Sequence, residues 1–255
     1  MRTTGLILVT FFPLGLAAAA QDVPTLAIGS AASGAATIAP NSIASAYGQN
    51  LTTQTESATI LPLPTSLAGV MVEITDSQGV TNLASLVFAS PGQINFVVPA
   101  GTASGAATVK VMGGDRLAAQ GTAQVLPIAP ALFAVNSSGL AAAYAIRTIA
   151  PAGPQTGFAV FQCSQGSCTA TPLNVGVDTP LFLELFGTGI RGSSNVSATI
   201  HGQPVMVMYA GAQGQYPGLD QVNVPITLNL RGAGLVPVVV TVDGVASNSV
   251  FIDIQ

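Results

Sequence analysis

His201 is the only imidazole in the chain, so nucleophilic catalysis built on a serine and a histidine would have to run through "TIHGQP". That segment reads as a hairpin turn exposing the ring, and no G-x-S-x-G elbow supplies the nucleophile. H-E-x-x-H, a P-loop and a strand-borne G-x-G-x-x-G are also missing from the sequence. The ten acidic residues are scattered singly, which gives neither a clustered calcium loop nor an obvious pair of carboxylates for glycoside hydrolysis. With no tryptophan, the aromatic surface for a sugar-gripping cleft is small. These residues predict a protein that is not an enzyme, with no catalytic, metal-binding or cofactor-binding set.

Cys163 and Cys168 are the only cysteines, and they flank the tight loop "SQGS". A redox or metal role would need C-x-x-C spacing or further ligands. In an exported chain the pair reads as a cross-strand disulfide. Closing so short a loop, it would contribute at the low end of the usual ~2–4 kcal/mol.

The triplet Gln93-Ile94-Asn95 returns as Gln221-Val222-Asn223, each soon followed by a proline (Pro99, Pro225). Two residues apart on a strand, the amides share one face. They could meet sugar hydroxyls, or they could hydrogen-bond loop backbone and pin the strand's entry. Recurrence in both halves favours the structural role. "YAGAQGQYPG" (Tyr209 to Gly218) reads as a long Gly-rich loop, and its Tyr209 and Tyr216 are the candidate contacts to a glycan.

The elements that must position these residues are short strands. After Arg2, "GLILVTFFPLGL" and the A-x-A site ending at Ala20 form a secretory signal peptide over 1–20, too short in its apolar core to span a bilayer. The expected mature chain begins at Gln21, lies outside the cytoplasm and has a flexible segment at 21–36. Only 6% of residues are charged, while 28 glycines and 17 prolines break the apolar residues into short segments, the punctuation of many strands. Removing Arg2 leaves five basic residues against ten acidic ones. With no basic cluster, nucleic-acid binding is not expected, nor is membrane insertion after signal cleavage.

From Thr37 onward, alternating segments recur at about ten-residue spacing. In "VMVEIT", Val70, Val72 and Ile74 would face inward and Met71, Glu73 and Thr75 outward. "LFLELFGTGI" (Leu181 to Ile190) parallels "SIASAYGQNL" (Ser42 to Leu51), and Val207-Met208-Tyr209-Ala210 parallels Leu86-Val87-Phe88-Ala89. The repetition predicts an all-β chain of two tandem immunoglobulin-like antiparallel β-sandwich domains. The first would span 37–128 and the second 129–255, with an additional hairpin at 157–174.

"APNSIASAYGQNLT", "LPTSLAGVMVEITDSQGV", "SPGQINFVVPAGTASGAATV", "APALFAVNSSG", "FLELFGTGIRG" and "VDGVASNSV" together resemble the uncharacterised Solibacter-type C-terminal domain family of secreted acidobacterial proteins. The resemblance runs from about Ala39 to the C-terminus. It implies tandem immunoglobulin/IPT-like units on an exported protein and brings no established activity. The function expected is a non-catalytic exported structural or adhesion module, the alternative a carbohydrate-binding module for an extracellular polysaccharide. The partner would be an extracellular glycan or a cell-surface protein.

Overall fold

The computed structural model describes residues 23–149, 153–177 and 179–255. The expected signal peptide lies outside them. Among the described residues the chain is all-β, interrupted by a 3₁₀ turn at Leu228–Leu230. It encloses two hydrophobic cores, one drawn from Leu26 to Val125 and the other from Ile128 to Ile254. Each core lies between two sheets, an arrangement that lets every strand bury one face and wet the other.

In the first half, a front sheet runs Ala27–Ser30, Ile43–Tyr47, Gln93–Val97, Ser85–Ala89, Glu56–Ser57 in spatial order. The back sheet is built on the Gly105–Gly113/Arg116–Val125 hairpin, with Val70–Thr75 beside it. In the second half the front sheet runs Gln155–Ala159, Ala143–Thr148, Leu181–Thr188, Asp220–Ile226, Tyr209–Ala212. Its back sheet carries Val196–Ile200 and Val250–Ile254 on either side of Gly234–Val242. Four front strands therefore repeat in the same spatial order: Tyr209 pairs with Asn223 as Phe88 pairs with Asn95. The period-2 expectation holds in Val70–Thr75, where Val70, Val72 and Ile74 are buried and Met71, Glu73 and Thr75 only half-buried.

Four expectations need correction. The 21–36 segment is not simply flexible: Ala27–Ser30 is a strand paired with Ile43–Tyr47, and Leu26 and Ile28 enter the first core. Two apolar residues at period 2 suffice to dock it. The sheets are not wholly antiparallel, because Thr37–Ile38 runs parallel to Gln124–Val125. Within 157–174, only Phe161–Ser164 and Ser167–Ala170 form a separate hairpin, while Gln155–Ala159 joins the front sheet. Fully buried Val160 separates the two pieces, its N–H bonded to the Ala143 carbonyl. Finally, Tyr209–Ala212 is a front-sheet strand rather than loop.

Candidate functional site

The repeated amides do not reach loop backbone. Gln93 Nε2 donates to Asn95 Oδ1 at 2.7 Å, and Gln221 Nε2 donates to Asn223 Oδ1 at 2.9 Å. Residues two apart on a strand sit about 7 Å apart at the backbone, within reach of each other's side chains. All four lie half-buried on the outward face of a front sheet. A hydrogen bond of this kind contributes about 1 kcal/mol. Replacing any one of the four by alanine should therefore lower the stability of its half by about 1 kcal/mol or less. Denaturant unfolding of the four single variants measures it, and a loss several times larger would mean that buried backbone depends on these amides.

Around Asn223 the two halves diverge. Opposite Asn95 stands Ser45, whose Oγ donates to Asn95 Oδ1 at 2.9 Å. Opposite Asn223 stands Glu184, and beyond Glu184 stands Tyr144. Tyr209 closes the row on the other side of Asn223. Tyr144, Glu184, Asn223 and Tyr209 thus form one cross-strand row over four adjacent strands. Both tyrosines are exposed, at 45% and 44%. Phe186 and Gln221 form the adjoining row, and the Phe186 ring meets Tyr144 edge-on at 6.1 Å. Tyr209 lies along its own strand, donating its hydroxyl to the Ala212 carbonyl beside Gly211. Glu184 has no ion pair and no side-chain hydrogen bond among the described residues.

The other candidates lie elsewhere. Tyr216 is exposed on the turn between Gln213 and Leu219, where Gln213 Oε1 accepts the Gln215 and Tyr216 N–H groups. His201 and Gly202 take left-handed backbone, φ 53° and 72°, in the turn between Val196–Ile200 and Gln203–Val205. Cys163 stands opposite Cys168, disulfide-bonded, with Cα atoms 4.0 Å apart. Asn136 Nδ2 ties that hairpin to the body through the Cys168 carbonyl.

Three carboxylates serve the backbone, Glu56 by accepting the Ala68 N–H at 2.9 Å. Asp76 accepts N–H groups from Gln78, Val80 and Ala103, and the Ala103 bond contributes most to holding its carboxyl below the ordinary value. Asp220 is fully buried and ion-paired with Arg191 at 2.5 Å. Burial pushes its carboxyl up, against the opposing pull of the Ile190 N–H and the Arg191 charge. Among the described residues no three His, Cys, Asp or Glu side chains converge.

Two surface depressions lie away from that row. One of about 310 Å³ lies beside the disulfide hairpin over Leu140, Leu235 and Phe251. The other, about 1300 Å³, lies in the first half among Gln49, Thr52, Gln54, Asp115 and Arg116. The first lacks a charged side chain and the second an aromatic one, whereas the front face of the second half combines the two. Local sequence reasoning found Tyr209, Asn223 and Gln221 but missed Tyr144, Glu184 and Phe186. The alternation in "LFLELF" was the available signal, since it turns Phe182, Glu184 and Phe186 outward together. No protein-family model and no curated protein matches the chain.

Proposed function

We propose that the chain is a non-catalytic, exported structural or adhesion module built from two tandem immunoglobulin-like units. The observation that carries this reading is the repeated front sheet, with the same strand order and the same Gln–Asn hydrogen bond in both halves. Duplication of a framework without a shared reactive set suits a spacer or presenting element. The disulfide supports an oxidising compartment. No helix among the described residues is long and apolar enough to cross a membrane. The resemblance to secreted acidobacterial C-terminal domains points the same way.

A presenting module benefits from a fixed angle between its units. Thr188 Oγ1 accepts the Ile43 N–H at 2.7 Å and donates to the Gly218 carbonyl at 2.8 Å, joining the halves across 145 positions of sequence. Gly218 is seated against Ile43 and Val97. Replacing Thr188 by valine keeps the shape but removes both bonds. Small-angle scattering of the mature chain should then show a broader distribution of end-to-end dimensions, with both cores still folded. A wild type already as broad as Thr188→Val would remove the case for a fixed presenting module.

A further inference from the structure

We propose that the outward front face of the second half binds a neutral polysaccharide, through Tyr144, Glu184, Asn223 and Tyr209 with Phe186 and Gln221 beside them. This goes beyond the module reading and does not depend on the angle between the halves.

The internal repeat supplies the comparison. In the first half the place of Tyr144 is taken by Gly29, where a side chain would strike the Gly34 and Ala35 carbonyls at 2.8 Å. The connection after Ala27–Ser30 crosses the face there, and Ser45 beneath is 1% exposed. Further along the same face, Gly218 of the second half rests on Ile43 and Val97. The chain therefore covers much of this face in its first half. In the second half it leaves the face open and sets two tyrosines and a carboxylate on it.

The open face has the chemistry of a hydroxyl-rich, weakly apolar ligand. Strands about 4.8 Å apart separate Tyr144 from Tyr209 by about 14 Å, so an elongated ligand can touch both rings. Aromatic faces take C–H groups, and a phenol tolerates a wet surroundings. Between the rings, the carboxylate only accepts hydrogen bonds, while the amides both donate and accept. Sugar hydroxyls satisfy both demands. Polyanions are disfavoured, since the chain is net negative and Arg147, near the end of the inner strand Ala143–Thr148, is engaged by Thr179, the Asn174 carbonyl and the Phe158 ring. A second copy is the competing occupant: a two-fold axis along the row would set Glu184 against its own image, where like charges repel, whereas an axis across the row would set it against Asn223.

The test is affinity electrophoresis in native gels cast with hydroxyethylcellulose, xylan, glucomannan or dextran, and in parallel with polygalacturonate. The wild type should be retarded by at least one neutral polymer. Tyr144→Ala and Tyr209→Ala should each weaken that retardation about tenfold, equivalent to about 1.4 kcal/mol. Glu184→Gln should weaken it less. Tyr144→Phe, which keeps the ring, and Tyr47→Ala in the first half should retain it, with melting curves confirming folded protein throughout. Retardation by polygalacturonate alone, by no polymer, or unchanged in Tyr144→Ala/Tyr209→Ala would overturn the proposal. So would sedimentation showing a dimer that Tyr144→Ala dissociates.

Discussion

Replacing Asp220 by alanine is expected to lower the stability of the second half by about 3 kcal/mol, the low end of the cost of breaking a buried ion pair. The reasons are specific. Asp220 is fully buried, and its carboxylate accepts the Ile190 N–H at 2.7 Å, the Arg191 N–H at 3.2 Å and Arg191 Nε at 2.5 Å. The repeat shows what this replaces. The first-half equivalent of Ile190 is Leu51, whose N–H finds a backbone acceptor, the Pro91 carbonyl. In the second half a side chain does that work, so truncating it strands the Ile190 donor and leaves the guanidinium, still bonded to the Leu219 carbonyl, without its counter-charge. Arg191 is 23% exposed, and this access to water keeps the loss at the lower figure. Denaturant unfolding should show the change in the transition of the second core, with the first unaffected.

The partner variant should behave differently with pH. Arg191→Ala leaves the carboxylate buried without its cation, raising further a pKa that burial already holds above the ordinary value. An acid whose native pKa exceeds its unfolded value, about 3.9, takes up a proton on folding. The native state then gains relative stability as pH falls through the native pKa towards the unfolded one. The deficit of Arg191→Ala should therefore be greatest at neutral pH and shrink on acidification towards about pH 4. Asp220→Ala should show no such recovery, because a guanidinium without its carboxylate keeps its charge. Equal pH profiles for the two variants would contradict this account.

Much of the fold was legible because alternation and turn chemistry are local. The segments "VMVEIT" and "INFVV" announce half-buried strands, and the paired phrases announce a repeated framework. The site was less legible because a cross-strand row takes one residue from each of four strands. Tyr144 and Tyr209 meet the same ligand surface only through the register of two intervening strands, Leu181–Thr188 and Asp220–Ile226. No window of sequence contains that relation. The same holds for Asp220, one of several scattered acids until Arg191, 29 residues away, closes on it. The strand at Ala27–Ser30 was missed for another reason. Its glycine and small residues lower strand propensity, and docking of Leu26 and Ile28 into the first core outweighs that deficit.

Gly189→Ala should destabilise the second half by ~2–5 kcal/mol, whereas Asn50→Gly in the first should change stability by no more than about 0.5 kcal/mol, as ordinary surface substitutions do. The two positions are equivalent in the repeat and share left-handed backbone, φ 71° at Gly189 and 54° at Asn50. Conformation alone therefore does not demand glycine, since asparagine holds it in the exposed first-half turn. What differs is the neighbour. The segment leading into the second core runs past Gly189, and Ala129 donates its N–H to the Gly189 carbonyl at 3.0 Å. A methyl group on Gly189 would sit 2.8 Å from the Ala129 carbonyl carbon and on top of its oxygen. Backbone cannot rotate aside as a side chain can. The left-handed conformation costs a non-glycine residue ~1–2 kcal/mol, and overpacking adds ~1–3 kcal/mol. Because the connection would have to shift, the loss should reach the adjoining Ala131–Leu132 strand, which pairs with Gly187 and Thr188. Hydrogen exchange should then accelerate at Phe133, whose N–H bonds the Phe186 carbonyl. A Gly189→Ala variant as stable as wild type would mean that the passage of Ala129 over Gly189 does not constrain the start of the second half.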